Sequence, residues 1–176
     1  MTPQQVAEAT RDAMWKEVTD ADLLALAQQR SDDVPASIVL DGWSVTSSHG
    51  GRSTGSVRVT LDGEERAGEE TGNGPVNALY RAVDDAIRPI LGWEPTLEEY
   101  EIKAITEGED AQGRVFIRCR RSIDTGPEAH VVTGHGLSTN IIEASLEAYV
   151  LAANKLRAAE LDGTVIPMRR SVEQLP

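Results

Sequence analysis

From Ser37 onward apolar and polar residues alternate with a period of two, so that Ile38 to Thr46 and Gly55 to Leu61 read as strands. In the second, Val57, Val59 and Leu61 share one face and Ser56, Arg58 and Thr60 the other, the pattern of a sheet buried on one side. Ser47 to Thr54 has turn composition, and Asp62-Gly63 closes the second strand as a hairpin turn does. Glu64 to Glu70 is mostly charged; a third strand there is inferred only from the later copy, where Ala129 to Thr133 occupies the matching place. The period then changes to that of a helix. Val76, Leu79, Tyr80, Val83, Ile87 and Ile90 form one stripe, with Pro75 at the start and Pro89 marking the end.

The second half repeats the plan. Tyr100 to Thr106 and Arg114 to Ile123 read as strands, with Val115, Ile117, Cys119, Arg121 and Ile123 on one face and Phe116, Arg118, Arg120 and Ser122 on the other. Asn140 and Glu143 form a capping box for a helix to about Leu156, whose apolar surface (Ile142, Tyr149, Ala152 and Leu156, with Ile141, Ala144, Ala148 and Leu151 beside them) is wide enough to need two packing partners. Ahead of the repeat, Thr2-Pro3-Gln4-Gln5 starts a helix over residues 3–16, and Thr19 to Asp22 starts another that ends near Arg30. The expected fold is α+β: two pseudo-symmetric βββα units packed together, preceded by a short helical linker. Residues 1–34 form that linker-like segment, 37–158 the repeat and 159–176 a tail.

Composition narrows the partners. Seventeen basic against twenty-nine acidic residues give a net charge of −12, which repels nucleic-acid phosphates and anionic lipid surfaces. No apolar run reaches the length of a membrane span and the N-terminus lacks a signal pattern, so the expectation is a cytoplasmic protein with neither nucleic acid nor membrane as partner. Cys119 reads as a small inward core residue. His49, His130 and His135 have no metal-ligand spacing, and neither a metal nor a cofactor is expected. Glu69 and Glu70 read as a solvated strand edge.

Two stretches invite a ligand. Gly72-Asn73-Gly74-Pro75-Val76-Asn77 and Gly134-His135-Gly136-Leu137-Ser138-Thr139-Asn140 each lead into a helical pattern, and their glycine pairs lie 62 residues apart. A glycine turn with positive φ ahead of a helix N-terminus presents unpaired N–H groups and a positive dipole end, which suits a carboxylate or a phosphate.

These two stretches, followed by Ala78-Leu79-Tyr80-Arg81-Ala82 and by Ile141-Ile142-Glu143-Ala144-Ser145, resemble the paired signature of the C-terminal regulatory domain of 2-isopropylmalate synthase and citramalate synthase. The likeness runs from about Ser37 to Leu156, and Lys16 to Leu26 resembles the linker that precedes that domain. It implies an allosteric, leucine-binding, dimerising module of amino-acid biosynthesis, with the ligand near the glycine turns at a homodimer interface. Carried over residue by residue, the ligand-binding set is Gly72, Asn73, Gly74, Pro75, Val76, Asn77, Ala78 and Tyr80 in one unit. In the other it is Gly134, His135, Gly136, Leu137, Ser138, Thr139, Asn140, Ile141 and Ala144. Where the family has aspartate after each turn, this chain has Asn77 and Asn140, which keep a cap and lose a charge. The catalytic (β/α)8 barrel does not fit in 176 residues and no His-x-His motif occurs, so synthase chemistry is not expected here. The implied reading is a stand-alone, non-catalytic module with leucine or a similar small molecule as ligand. Two alternatives stay open: the same fold recruited as a small-molecule enzyme in specialised biosynthesis, or an assembly subunit for a separate synthase chain.

Overall fold

The computed structural model describes residues 33–105, 107–108 and 111–165, so the two helices and linker start expected before residue 33, and the tail after 165, lie outside the described residues. The element order is β1 (Ile38–Thr46), β2 (Ser53–Leu61), β3 (Glu64–Gly72), α1 (Pro75–Leu91), β4 (Pro95–Ala104), β5 (Gly113–Arg121), β6 (Val132–Ser138) and α2 (Ile141–Leu161). The strands form two antiparallel sheets, ordered β1-β2-β3 and β4-β5-β6, each followed by its helix. This is the α+β fold of two βββα units that the alternation and the helical stripes predict.

Local chemistry accounts for most of the elements. Along β2, Val57, Val59 and Leu61 are buried and the residues between them are not. Asp62 (φ 50°) and Gly63 (φ 85°) make the two-residue turn to β3, both in the left-handed conformation that matches strand twist. Bulges fall at equivalent places in the two edge strands, between Leu40 and Gly42 in β1 and between Leu97 and Glu99 in β4.

Several boundaries differ from the sequence expectation. Helix α1 runs through Pro89 to Leu91 and stops at Gly92, whose φ of 77° forms a left-handed cap with its N–H on the Arg88 carbonyl at 2.8 Å. Proline is tolerated in that last turn, and Leu91 rather than Ile90 completes the buried stripe: Leu91 is 5 % exposed and Ile90 42 %. Strand β4 begins at Pro95, not Tyr100; its bulge and acidic run break the alternation that would have shown it. Strand β6 is Val132–Ser138, not 129–133.

The repeat also has a different register. On β3, a Cβ at Gly68 would collide with the carbonyl oxygen of Ala82 in α1; on β6, a Cβ at Gly134 would collide with that of Ala148 in α2. Both pairs are offset by 66 residues, and the helices start 66 residues apart, so Gly68 and Gly134 are the structural equivalents and the 62-residue pairing of Gly72 with Gly134 is not the symmetry of the fold. Contact this close explains why β3 is nearly invisible in the sequence. Its inward positions are Arg66, Gly68, Glu70 and Gly72, because the α1 backbone leaves no room for Val or Ile, and Arg66 lies along the helix with Nε on the Ala86 carbonyl at 3.1 Å.

Helix α2 finds its two partners within the chain. Ala144, Ala148 and Ala152 back onto the glycine face of β6, while other faces pack on β5, α1 and β1. Asn154, buried on α2, clamps the start of β1: its Oδ1 accepts from Ile38 N (2.7 Å) and its Nδ2 donates to Ile38 O (2.8 Å), taking the place of a neighbouring strand. One core results, running from Ile38, Val57 and Val59 through Leu79, Val83, Ile87 and Trp93 to Val115, Ile117, Leu146, Tyr149 and Leu156.

Candidate functional site

The first predicted motif is a helix start. β3 ends at Gly72, whose Cβ position is occupied by Asn77 and Ala78; Gly74 is the N-cap of α1, in extended conformation (φ −168°) and without a side-chain cap. A Cβ on Gly74 would meet no atom within 4 Å, so the space over the first turn is open. Asn77 is the third helical residue rather than the cap, and its Oδ1 accepts from the Asn73 N–H at 3.2 Å. Pro75 and Val76 are half-buried, Asn73 is exposed and Ala78 is fully buried. The first-turn N–H groups of Val76 and Asn77 precede the first intrahelical bond, Ala78 N to Gly74 O at 3.0 Å, and so have no intrahelical acceptor.

The second motif is not a turn. Gly134, His135 and Gly136 lie inside β6, with both glycines buried against α2 and neither at positive φ; Gly72 and Gly74 also lack positive φ. The physical reason is packing, since the carbonyls of Ala148 and Ala144 occupy the space a side chain would need. His135 points to the other face of the sheet, opposite Phe116, and Leu137, 41 % exposed, pairs with Arg114. The start of α2 is closed by its own side chains: Asn140 Oδ1 accepts from Ile142 N at 3.0 Å, and Ser138 Oγ accepts from Asn140 N at 3.0 Å. Thr139 is exposed, Ile141 covers Gly113 and Ala144 is fully buried. The capping box is half made, because Glu143 accepts instead from the indole N–H of Trp43 on β1. Asn77 and Asn140 thus occupy different helical positions, third residue and N-cap, and are not equivalents.

Of the predicted residues, Tyr80 reaches across to the other unit. Its ring stacks on Tyr149 with centroids 4.0 Å apart and planes 11° from parallel, and its hydroxyl donates to the Ser145 carbonyl at 2.7 Å. Tyr149 answers from α2, donating to Asp84 Oδ1 at 2.6 Å, with the Pro95 carbonyl 3.3 Å away. Tyr100 on β4 joins through Ser145 Oγ at 2.7 Å. Burial, the largest cause, pushes both Tyr80 and Tyr149 well above the usual phenol range and Asp84 up to about 7. Burial also pushes the Cys119 thiol up to about 12, so it stays protonated as the core residue its strand position predicts. None of Tyr149, Asp84, Tyr100 and Ser145 is among the ligand residues that the sequence points to. Tyrosine in an alanine-rich helix was the available signal, but its partner lies 65 residues away.

The described cavities lie elsewhere. One of about 600 Å³ is lined by Arg121, Asp124, Glu128, His130 and Val165 near the C-terminal end of α2, roughly 30 Å along the helix from its first turn. Its arginine is already held, with Asp124 at 2.7 Å and Glu160 at 3.2 Å. A second, of about 390 Å³, lies on the first sheet around Ser44, Ser56 and Arg58. Neither includes a predicted ligand residue, and a pocket at a helix start is better judged from the open space over Gly74 than from cavity size.

Two glycine-backed helices on two three-stranded sheets have counterparts among known proteins. The model of the LeuA allosteric (dimerisation) domain matches residues 17–157. The chain belongs to that family. The LeuA-domain chain is 38 % identical over 141 residues to the 2-isopropylmalate synthase of Carboxydothermus hydrogenoformans, covering 80 % of this chain and 26 % of that protein. It is 40 % identical over 144 residues to that of Brevibacillus brevis, covering 80 % and 26 %. With the synthase of Dictyoglomus turgidum it shares 32 % over 161 residues, covering 89 % and 30 %. The chain spans about a quarter of the length of these first two curated relatives, and the match makes it a regulatory, dimerisation-type LeuA domain. None of the helices among the described residues is long and apolar enough to cross a membrane.

Proposed function

We propose that this LeuA domain is a homodimeric regulatory module that holds a branched-chain amino acid, or a small relative of one, at the start of α1. The observation that carries the ligand reading is the contrast between the two helix starts. The first turn of α1 is uncapped and open over Gly74, whereas that of α2 is capped by Asn140 and backed by β6. A carboxylate meets unpaired N–H groups and the positive end of the helix at α1, with Val76 beside it as an apolar contact. The ligand set therefore contracts to Gly72 through Asn77, with Gly134, Gly136, Tyr80 and Ala144 as packing residues that support it.

Calorimetric titration with leucine tests this. The wild type is expected to bind, and free leucine at a hundred times its dissociation constant then adds about 2.7 kcal/mol of stability. Gly74→Val, for which the side chain finds free space and an allowed backbone, is expected to keep the fold and lose the heat. Asn77→Asp restores a charge for the ligand ammonium and is expected to tighten binding about tenfold or more. Heat from neither wild type nor Asn77→Asp at millimolar leucine ends the leucine reading and leaves an enzyme or a synthase-docking subunit.

The dimer reading rests on β4. Leu97, Tyr100 and Ile102 are 41 %, 36 % and 49 % exposed, yet their cross-strand partners Cys119, Ile117 and Val115 on the same sheet face are fully buried. The helices cover that face over β5 and β6 and leave the β4 edge bare, so a second copy buries what this one exposes. The apolar surface of α2, by contrast, is consumed inside the chain. Sedimentation of the wild type at micromolar concentration is expected to give twice the mass of one chain, and Ile102→Asp, on an exposed position, to give one chain with an unchanged circular-dichroism spectrum. A monomeric wild type overturns the dimer.

A further inference from the structure

A side-chain amide or carboxyl followed by glycine is a chemically weak step in a chain, and this one has a single Asn-Gly, at Asn73-Gly74, and three Asp-Gly steps, at Asp41, Asp62 and Asp162. Reaction requires the backbone nitrogen of the following residue to reach the side-chain carbonyl carbon. A Cβ on that residue obstructs the approach, and a hydrogen bond that holds either group opposes it. Folding holds three of the four steps. Asp41 Oδ2 accepts from the Thr60 hydroxyl at 2.6 Å, Asp62 Oδ2 from Arg157 at 3.2 Å and Asp162 Oδ1 from Thr164 N at 2.8 Å. The other asparagines are held as well, Asn77 by Asn73 N–H, Asn140 by Ile142 N–H and Asn154 by both backbone groups of Ile38.

Asn73 is the exception. It lies exposed in the bend between β3 and α1, and its carboxamide makes no hydrogen bond among the described residues; only its backbone N–H is engaged, by Asn77 Oδ1. Gly74 N–H likewise has no acceptor among the described residues, and a Cβ on Gly74 would meet no atom within 4 Å. Nucleophile and carbonyl carbon are thus adjacent, unheld and unobstructed.

We propose that Asn73-Gly74 is a self-modification site, where the amide converts without an enzyme to aspartate and isoaspartate and so places a negative charge at the open start of α1. Gly74 N attacks Asn73 Cγ. The N–Cγ bond forms as the Cγ–Nδ2 bond breaks, and the proton lost by Gly74 N passes through water to Nδ2, which leaves as ammonia. Water then opens the five-membered imide. Attack at Cγ gives aspartate; attack at the main-chain carbonyl gives isoaspartate, in which the chain runs through the side chain. Water is the sole co-reactant and no group changes oxidation state. The position gives the new charge an effect, because the Val76 and Asn77 N–H groups and the positive end of the helix dipole lie there. The carboxylate complements that field in the free domain and opposes a ligand carboxylate arriving at the same turn. The effect on ligand rests on the reading given above; the conversion itself does not.

Incubation of the whole chain in mildly alkaline buffer, folded and in urea, followed by digestion and mass spectrometry, reads every such step at once. Asn73 is expected to convert in the folded protein within about threefold of its rate in the unfolded chain, because no native bond has to open first. Isomerisation at Asp41, Asp62 and Asp162 is expected to slow about tenfold or more on folding, because theirs do. Gly74→Ala, whose methyl group fits the fold, is expected to slow conversion at Asn73 about tenfold. An Asn73 that stays intact in the folded protein while the unfolded chain converts overturns the proposal, as does one protected to the same degree as the three aspartates. Asn73→Asp supplies the product in pure form. Its thermal midpoint is expected to exceed that of the wild type at low salt, with the difference lost in concentrated salt. Calorimetry is expected to show leucine binding weakened about threefold, the effect of one exposed like charge. Equal midpoints at low salt overturn the role of the charge at the helix start. A wild type that binds no leucine ends the ligand reading alone, since the conversion is read by mass.

Discussion

Gly134→Val is expected to abolish cooperative folding of the domain, and Gly68→Val to do the same from the other sheet. In both places the new Cβ would collide with a backbone oxygen, that of Ala148 or of Ala82, and backbone in the middle of a helix cannot swing aside as a side-chain tip can. Overpacking of ordinary core sites costs roughly 1–3 kcal/mol. Here a whole helix must lift from its sheet, so about 3 kcal/mol or more is expected, a large share of what a domain of this size has. Gly74→Val is the internal control, since nothing stands within 4 Å of its Cβ. Urea unfolding of the three variants checks the ordering; a Gly134→Val protein that unfolds at the wild-type midpoint would show that the helices do not sit this close in solution.

A second large effect is expected at Glu160, where charges from both units meet out of water. Its carboxylate, 8 % exposed, accepts from the indole N–H of Trp93 at 2.6 Å and from Arg121 and Arg157 at 3.2 Å each. Arg121, 2 % exposed, is also held by Asp124, and Arg157 reaches Asp62 in the β2–β3 turn at 3.2 Å. The cluster therefore ties the first unit's hairpin, the chain leaving α1 and the end of β5 to the last turns of α2. Arg157 Nε, by contrast, is buried without a hydrogen-bond partner among the described residues. Glu160→Ala removes the acceptor shared by buried Trp93 and Arg121 and half-buried Arg157, and is expected to cost about 1–3 kcal/mol, because the Trp93 N–H is left buried without its partner while Asp124 and Asp62 still hold the two arginines. Glu160→Gln keeps an acceptor for Trp93 and is expected to lose less. A loss below about 1 kcal/mol for Glu160→Ala, against the typical mutational effect, would mean that the cluster is incidental to stability.

How much of the site could be read in the chain differs between its two copies. The start of α1 was legible: glycine, proline at the first helical position and an apolar stripe are local signals, and the structure puts the helix where they say. At the second copy the same reasoning went wrong. Gly134 and Gly136 look like turn residues because glycine permits turns, but glycine is equally demanded where backbone presses on backbone, and nothing nearby in the chain distinguishes the two. Asn140 was read correctly as a cap, whereas Asn77 was given a position it does not hold.

Features carried by short-range periodicity were settled in the residues: the alternation of β2 and β5, the turn at Asp62 and Gly63, the stripe of α1, the cap of α2, and hence two βββα units in one α+β fold. Folding decided everything that depends on which residues stand opposite each other across many tens of positions. The 66-residue register of the repeat, the strand character of β3, the exchange of tyrosines across the helix seam, the pairing of Tyr149 with Asp84 and the ionic cluster at Glu160 all belong to that second group. The reason is one of range. A period of two or 3.6 is imposed on each residue by its neighbours in the chain, while burial, close approach and charge pairing are set by groups that only the completed packing brings together.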